Sequence, residues 1–191
     1  MIYVFVRWLL RVFYSVVFRF EAVGLENIPA TGPVVLCSNH ISNFDPPTVG
    51  IKVKRKVHYM AKAELFEIPV FGSLIRALGA FPVKRGGVSK DAIRSAIALL
   101  ENGGVMGIFP EGSRKAPSGM GKKGAAMIAM RSHATVIPVA VIGTYKPFRK
   151  MIIRYGQPID MAAFIQDSSS DVLERVTEEI MANIREMVRQ G

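Results

Sequence analysis

Cysteine is nearly absent from this sequence, and acidic residues are scarce. The single cysteine, Cys37, cannot form an internal disulfide, and it excludes a zinc site built from several cysteines. The 15 Asp and Glu residues are outnumbered by 25 Lys and Arg, so the formal net charge is +10. No internal repeat or long low-complexity segment interrupts the chain. These features leave an ordinary, strongly basic chain without a disulfide framework.

The composition combines positive charge with apolar character. Hydrophobic residues make up 50% of the 191 residues, and the mean hydropathy is +0.27. This length suits one domain. Nucleic-acid binding would account for the charge but not for the hydropathy. An anionic membrane surface accounts for both, since each nearby Lys or Arg contributes roughly 1 kcal/mol there. We therefore expect the cytoplasmic face of a cell membrane as partner, and no nucleic acid.

Residues 1–20 are strongly apolar, and we expect no cleaved signal peptide, because no cleavage site follows. Twelve Leu, Ile, Phe and Val residues favour insertion by roughly 4–7 kcal/mol, but two central arginines cost about as much. An amphipathic helix at the membrane interface avoids that cost. We predict this helix over 1–20, ahead of a domain over 21–191. A spanning helix and a helix packed in the core are the alternatives. The residues expected at the membrane are Arg7, Trp8, Arg11, Phe13 and Arg19.

Short apolar runs alternate with helical patterns along the rest of the chain. We predict strands at 19–23, 33–38, 56–61, 80–84, 104–109, 136–142 and 151–155. Helices are predicted at 46–52, 63–78, 89–101, 122–132 and 170–189. This alternation favours a single α/β domain with a mixed, largely parallel central sheet flanked by helices.

A histidine and an aspartate lie five residues apart just after an apolar strand. His40 and Asp45 belong to SNHISNFDPP, and the two prolines suit the first turn of a helix. A carboxylate on one ring nitrogen fixes the tautomer and leaves the other nitrogen basic. The pair could therefore be a general base, although a structural histidine held in a turn has the same spacing.

No candidate nucleophile accompanies this pair. The sequence has no G-x-S-x-G motif, and Cys37 lies in a predicted strand as a small buried hydrophobic residue. A base without a protein nucleophile suggests that the substrate supplies the attacking hydroxyl. The electrophile must then be activated already, for example as a thioester.

Two further predicted strands end in basic turns. Arg85 follows the strand at 80–84, and Arg114 follows the strand at 104–109. Open α/β sheets bind ligands at strand ends, and arginine suits bidentate phosphate contacts. Lys123 lies in GMGKKG at the start of a helix, which also favours anions. Solvated basic loops are the alternative for each turn.

Four segments in chain order resemble the motifs of the glycerolipid acyltransferases. NHISNFD (39–45) is similar to the N-H-x4-D motif, and GAFPVKR (79–85) is similar to the second motif. FPEGSR (109–114) resembles F-P-E-G-T-R, with serine in place of threonine, and IPV (137–139) resembles the V-P-V block. The supporting motif residues are Asn39, Gly79, Phe81, Pro110 and Pro138.

The resemblance implies an acyl transfer in phospholipid biosynthesis. His40, oriented by Asp45, would deprotonate the free hydroxyl of a lysophosphatidate, which attacks an acyl thioester directly. The donor would be acyl-CoA or acyl-carrier protein, with no metal or further cofactor. Binding of the glycerol phosphate falls to Arg85 and the turn formed by Glu111, Gly112, Ser113 and Arg114, with Lys123 as a further candidate.

Three other functions fit parts of the pattern. The acceptor could be glycerol 3-phosphate or another lysophospholipid. A non-catalytic module that binds anionic membranes would use the basic loops, but it has no need for His40 and Asp45. A thioesterase that uses water has no need for two arginine motifs.

Overall fold

The computed structural model describes residues 2–83, 90–112 and 119–191. Within them, seven strands form one sheet between two layers of helices. The strands are β1 (Arg19–Val23), β2 (Val34–Ser38), β3 (Val57–Lys62), β4 (Ala80–Val83), β5 (Val105–Ile108), β6 (Thr135–Gly143) and β7 (Lys150–Tyr155). The helices are α1 (Ile2–Val17), α2 (Asp45–Gly50), α3 (Phe71–Ala77), α4 (Lys90–Glu101), α5 (Gly119–Arg131), α6 (Ala162–Ile165) and α7 (Val172–Arg189). Two 3-10 turns cover Leu25–Asn27 and Ala63–Phe66.

The sheet is mixed and mostly parallel, as predicted. Its strand order is β1-β7-β6-β2-β5-β3-β4, and β6 and β7 form the antiparallel pair. The neighbouring pairs β6–β2, β2–β5, β5–β3 and β3–β4 are parallel. The carboxyl ends of β2, β3, β4, β5 and β6 therefore meet at one edge of the sheet. This edge is where open α/β sheets bind ligands.

Helices cover both faces of the sheet, so the central strand β2 is buried along its whole length. Val35 and Cys37 of β2 face a core shared with α4, α5 and α7. Val34 and Leu36 face the opposite core, which includes residues of α1 and α2. Burial on both faces explains why β2 reads as a continuous apolar run rather than an alternating one.

The helix predicted over 63–78 is interrupted in the structure. A 3-10 turn covers Ala63–Phe66, and α3 begins only at Phe71. Pro69 lies between them, and proline disfavours helical backbone at the residue before it. The short helix α6 was not predicted, because four residues carry too little periodicity to stand out. Residues 84 and 89, at the ends of two predicted elements, lie outside the described residues.

Helix α1 ends at Val17, and Arg19 begins β1. The domain boundary predicted after residue 20 therefore falls inside a strand of the sheet. Tyr14 is buried in the core, so the end of α1 is packed on the domain. Within the described part of the chain, no helix is long and apolar enough to cross a membrane.

The arginines of α1 face the domain rather than solvent. Arg7 donates hydrogen bonds to the carbonyls of Val53 and Lys54 at 2.8 and 3.1 Å, and Arg11 donates to the Ile51 carbonyl at 2.7 Å. This differs from the expectation that Arg7 and Arg11 lie at the membrane. The exposed side of α1 is apolar instead. Its large exposed side chains are Ile2, Val4, Phe5, Trp8, Leu9, Val12, Phe13 and Val16.

Candidate active site

The predicted histidine–aspartate pair forms where β2 ends. Nδ1 of His40 lies 2.7 Å from Oδ2 of Asp45, the first residue of α2. A carboxylate oxygen only accepts, so Nδ1 carries the proton and Nε2 keeps its lone pair. Asp45 is completely buried, whereas the His40 side chain is 19% exposed. The pair therefore has the arrangement of a base held by a buried carboxylate.

Four donors surround the Asp45 carboxylate. The backbone N–H groups of Ile41 and Ser42 donate to Oδ2 at 2.6 and 2.7 Å, alongside His40. The hydroxyl of Tyr145 donates to Oδ1 at 2.7 Å. Burial of a charge is costly unless it is hydrogen-bonded, and here both oxygens are satisfied.

Neighbouring side chains fix the position of the His40 ring. Phe109 stacks on the ring with a centroid distance of 4.3 Å and an interplanar angle of 23°. Asn39 donates to the Val141 carbonyl at 3.0 Å and accepts from the Val141 N–H at 2.8 Å. Its side-chain amide thereby ties the residue that follows β2 to β6, directly before His40.

The turn after β5 brings a second predicted segment beside the pair. The Gly112 N–H donates to the Phe109 carbonyl at 2.9 Å, and Gly112 has φ +70°, a backbone conformation that favours glycine. Pro110 within this turn is buried. Glu111 therefore lies at the same sheet edge as His40.

A cleft of about 550 Å³ opens at this edge. One wall holds Asn39, His40, Ile41 and Glu111, and the other belongs to α7. The α7 residues that line the cleft are Met181, Ala182, Ile184, Arg185, Val188 and Arg189. The cleft is thus lined by His40, by Glu111, by an apolar strip and by two arginines of α7, which pair with Glu178 and Glu186 of the same helix.

The other predicted site residues either lie outside the described residues or do not line the cleft. Arg85, Ser113 and Arg114 lie outside the described residues. Lys123 pairs with Glu174 of α7 at 2.6 Å, so its ammonium already has an anionic partner. Arg19 is exposed on β1.

The remaining supporting motif residues shape the backbone and core. Gly79 has φ +95°, and a Cβ there would lie 2.8 Å from a ring carbon of His58. Phe81 packs against the core beneath α4 and α5. Pro138 pairs in register with Cys37 inside the sheet.

Cys37 and His58 lie in surroundings that do not favour a role in catalysis. Burial raises the pKa of the Cys37 thiol to about 12, so it stays protonated and inert. Burial lowers the pKa of His58, whose Nδ1 lies 3.3 Å from the Val105 carbonyl. No group of three or more His, Cys, Asp or Glu in the described ranges could hold a metal ion.

A family model described as Acyltransferase matches residues 19–142, from β1 to β6. The chain belongs to the acyltransferase family. This match covers all four motif segments and the His40–Asp45 pair, and it confirms the predicted class. Helices α1 and α7 and Tyr145 lie outside it.

Individual acyltransferases of known name are also similar to this chain. The 1-acyl-sn-glycerol-3-phosphate acyltransferase of Bacillus subtilis is 33% identical over 93% of this chain and 92% of its own length. The chloroplastic enzyme LPAT1 of Arabidopsis thaliana, which bears the same name, is 31% identical over 68% of this chain, but this chain spans only 37% of it. The crystal structure of PlsC from Thermotoga maritima, a 1-acyl-sn-glycerophosphate acyltransferase, superposes with a TM-score of 0.68 at 28% identity, over 90% of this chain and 71% of that one.

Three parts of this acyltransferase site were not expected from the sequence. They are the α7 wall of the cleft, the stacking of Phe109 on His40, and the bond from Tyr145 to Asp45. Phe109 belongs to a recognised motif and lies at the end of a predicted strand, so its position near His40 could have been predicted. Tyr145 and α7 carry no motif, and their proximity to His40 comes from the fold.

Proposed function

We propose that this chain transfers an acyl group from an acyl thioester to the free hydroxyl of 1-acyl-glycerol 3-phosphate, which yields phosphatidic acid. The observation that carries the proposal is the 2.7 Å contact between Asp45 and His40, a residue that lines the cleft. The names of the relatives, which cover most of this chain, support the acceptor.

The proposed chemistry needs only a base and two bound substrates. Nε2 of His40 takes the proton of the acceptor hydroxyl, and that oxygen attacks the thioester carbonyl carbon. The resulting imidazolium faces the Asp45 carboxylate, which stabilises it. The tetrahedral intermediate then expels the thiolate, which recovers the proton from His40. No acyl-enzyme forms, in keeping with the buried and protonated Cys37.

An acceptor assay across several candidates tests this function. Purified protein in mixed micelles would receive radiolabelled acyl-CoA or acyl-carrier protein together with lysophosphatidate, glycerol 3-phosphate or lysophosphatidylcholine. We expect phosphatidate as the main product with at least one donor. Preferred transfer to glycerol 3-phosphate would show that lysophosphatidate is not the acceptor. Thioester hydrolysis without transfer would contradict the proposal. The two donor arms identify the donor.

Acceptor recognition is proposed to use Arg85 and Arg114. A phosphomonoester carries about −1.5 to −2 charges at pH 7, so one cation does not neutralise it. We expect Arg85→Ala and Arg114→Ala each to raise the acceptor KM roughly 10–150-fold, because each removes charge-assisted hydrogen bonds. Steady-state kinetics with each substrate varied separately measures this effect.

Arg94→Ala is the matched control for these variants, since Arg94 is exposed on α4 and pairs only loosely with Asp91, at 3.4 Å. It should leave both KM values unchanged. Arg→Lys at 85 or 114 should restore acceptor use in part, because an ammonium keeps the charge but loses the planar fork. A higher KM for the donor, with an unchanged acceptor KM, would reverse the assignment.

Membrane association is proposed to use the apolar side of α1. Trp8 is 58% exposed and Phe5 63% exposed, although both are large apolar residues. Contiguous exposed apolar surface of this kind marks an interaction site. The inward-facing Arg7 and Arg11 anchor the helix to the domain, so its apolar side is free to enter the headgroup region.

We expect the triple variant Trp8→Ser/Leu9→Ser/Phe13→Ser to lower binding to anionic vesicles at least tenfold. Each of these side chains contributes about 1.5–3 kcal/mol when fully buried, so partial burial of three suffices for this loss. Flotation through a density gradient measures the bound fraction. Ile165→Ser is the control, because Ile165 is also exposed and apolar but lies on α6. Unchanged flotation of the triple variant would place the membrane contact elsewhere.

A further inference from the structure

A partly buried chain of hydroxyl groups connects Asp45 to α1. The Tyr145 hydroxyl, which donates to Asp45 Oδ1, also lies 2.9 Å from Oγ1 of Thr48. Thr48 Oγ1 in turn lies 3.1 Å from the hydroxyl of Tyr14, a residue of α1. The residues joined in this way come from α1, from α2 and from the segment after β6. We call Tyr14, Thr48 and Tyr145 the hydroxyl chain.

Aromatic packing holds the hydroxyl chain in place. The ring of Tyr145 lies edge-on to Phe18 at 5.7 Å and against Phe44 at 5.6 Å, and Tyr14 packs on Phe18 at 5.4 Å. Just beyond, the Phe148 N–H donates to the Val17 carbonyl at 2.6 Å. The segment after β6 and the end of α1 are thus in contact at several points.

Both tyrosines of the chain remain protonated near neutral pH. Burial is the main reason that the pKa of Tyr145 lies well above its ordinary value, and the nearby Asp45 carboxylate raises it further. Burial also raises the pKa of Tyr14 to about 12. Near neutral pH, Tyr145 therefore keeps a proton that it can donate to Oδ1.

The bond from Tyr145 holds Oδ1, the second oxygen of the carboxylate. His40, Ile41 and Ser42 all donate to Oδ2 and leave Oδ1 to Tyr145. Loss of that donor would leave a buried carboxylate oxygen without its partner, and such an oxygen turns toward any other donor or toward water. Rotation of the carboxylate would draw Oδ2 away from Nδ1 of His40.

We propose that Tyr145 is a positioning residue for the His40–Asp45 pair, and that the hydroxyl chain makes the geometry of this pair depend on the seating of α1. The inference rests on the proposed function, because it assigns His40 and Asp45 to the chemical step. Tyr145 touches no substrate in this role. It acts on turnover through Asp45, so its loss lowers kcat and leaves both KM values near the wild-type values.

Tyr155 provides a matched control for Tyr145. It is buried on β7, and its hydroxyl donates to the Val49 carbonyl of α2 at 2.7 Å. Tyr155→Phe therefore removes a buried tyrosine hydroxyl that bonds to the same helix, without touching the carboxylate.

The test compares full-length Tyr145→Phe, Tyr14→Phe and Tyr155→Phe with wild type in the phosphatidate assay. We expect Tyr145→Phe to lower kcat roughly 10–150-fold, the range for a lost hydrogen bond to a charged group, with KM values within about twofold. Tyr14→Phe should give a smaller fall in kcat, and Tyr155→Phe a kcat within about twofold of wild type. Wild-type kcat in Tyr145→Phe, or an equal loss in Tyr155→Phe, would overturn the inference. Wild-type kcat in Tyr14→Phe would overturn its link to α1.

A double variant separates positioning from general damage to the core. In the Asp45→Ala background the side chain that Tyr145 orients is already gone, so adding Tyr145→Phe should cost less than about threefold in further kcat. If the fall in kcat of the double variant equalled the product of the two single falls, the inference would be contradicted. Failure of the proposed function is distinguishable, because wild-type protein would then make no phosphatidate. In that case, the contact can still be tested by urea unfolding, which measures whether the two substitutions change the free energy of unfolding additively.

Discussion

His40→Ala is expected to lower kcat for phosphatidate formation by about 10²–10⁴-fold, the range for loss of a general base. The alanine variant has no group to take the proton of the acceptor hydroxyl, while the cleft walls formed by α7 and Glu111 are unchanged. Both KM values should stay close to those of wild type. Steady-state kinetics on the purified variant measures each parameter.

The loss should not come from unfolding. Without His40, the Asp45 carboxylate keeps its bonds from Ile41, Ser42 and Tyr145. Thermal unfolding checks that the variant is folded. His133→Asn is the matched histidine control, because His133 is exposed and has φ +48°, which asparagine tolerates. Near-normal turnover by folded His40→Ala protein would refute the mechanism.

Asp45→Asn is expected to lower kcat by a similar factor, about 10²–10⁴-fold. The amide oxygen can still accept from His40, Ile41 and Ser42, and the amide NH2 can donate to the Tyr145 hydroxyl. The negative charge is lost, however, and with it the stabilisation of the imidazolium that forms in the transition state. The same kinetic assay measures the fall, with substrate affinities expected to persist.

Asp91→Asn serves as the matched carboxylate control, because Asp91 is exposed at the start of α4. It should have wild-type kcat. If folded Asp45→Asn protein also kept its turnover, the role of the buried charge in catalysis would be refuted. A large rise in the acceptor KM alone would instead place Asp45 in substrate binding.

The strands were predictable because their signals are local. Each of the seven predicted runs overlaps an observed strand, since buried parallel strands read as short apolar runs between turns. The antiparallel pairing of β6 with β7 was not readable from those runs. Pairing direction depends on the path of the chain between strands, and here the connection over residues 144–149 is too short for a parallel crossover.

The His40–Asp45 contact was also predictable, because only five residues separate the two side chains and prolines follow at once. Local geometry of this kind does not depend on the rest of the molecule. Tyr145 reaches the same carboxylate from 100 residues away. Such a contact exists only after β6 has paired with β2, so no spacing rule could have revealed it.

The N-terminal helix shows most clearly which features the sequence determines and which depend on the tertiary structure. The sequence alone determines that Arg7 and Arg11 form a basic stripe on one side of α1 and that the other side is apolar, because helical periodicity separates the residues in this way. It does not determine which side meets the domain. The tertiary structure decides this, because the chain after α2 presents the carbonyls of Ile51, Val53 and Lys54, and the guanidinium groups of Arg7 and Arg11 bind them. A guanidinium has donors and no acceptor, so these carbonyls turn the basic stripe inward and leave the apolar side exposed.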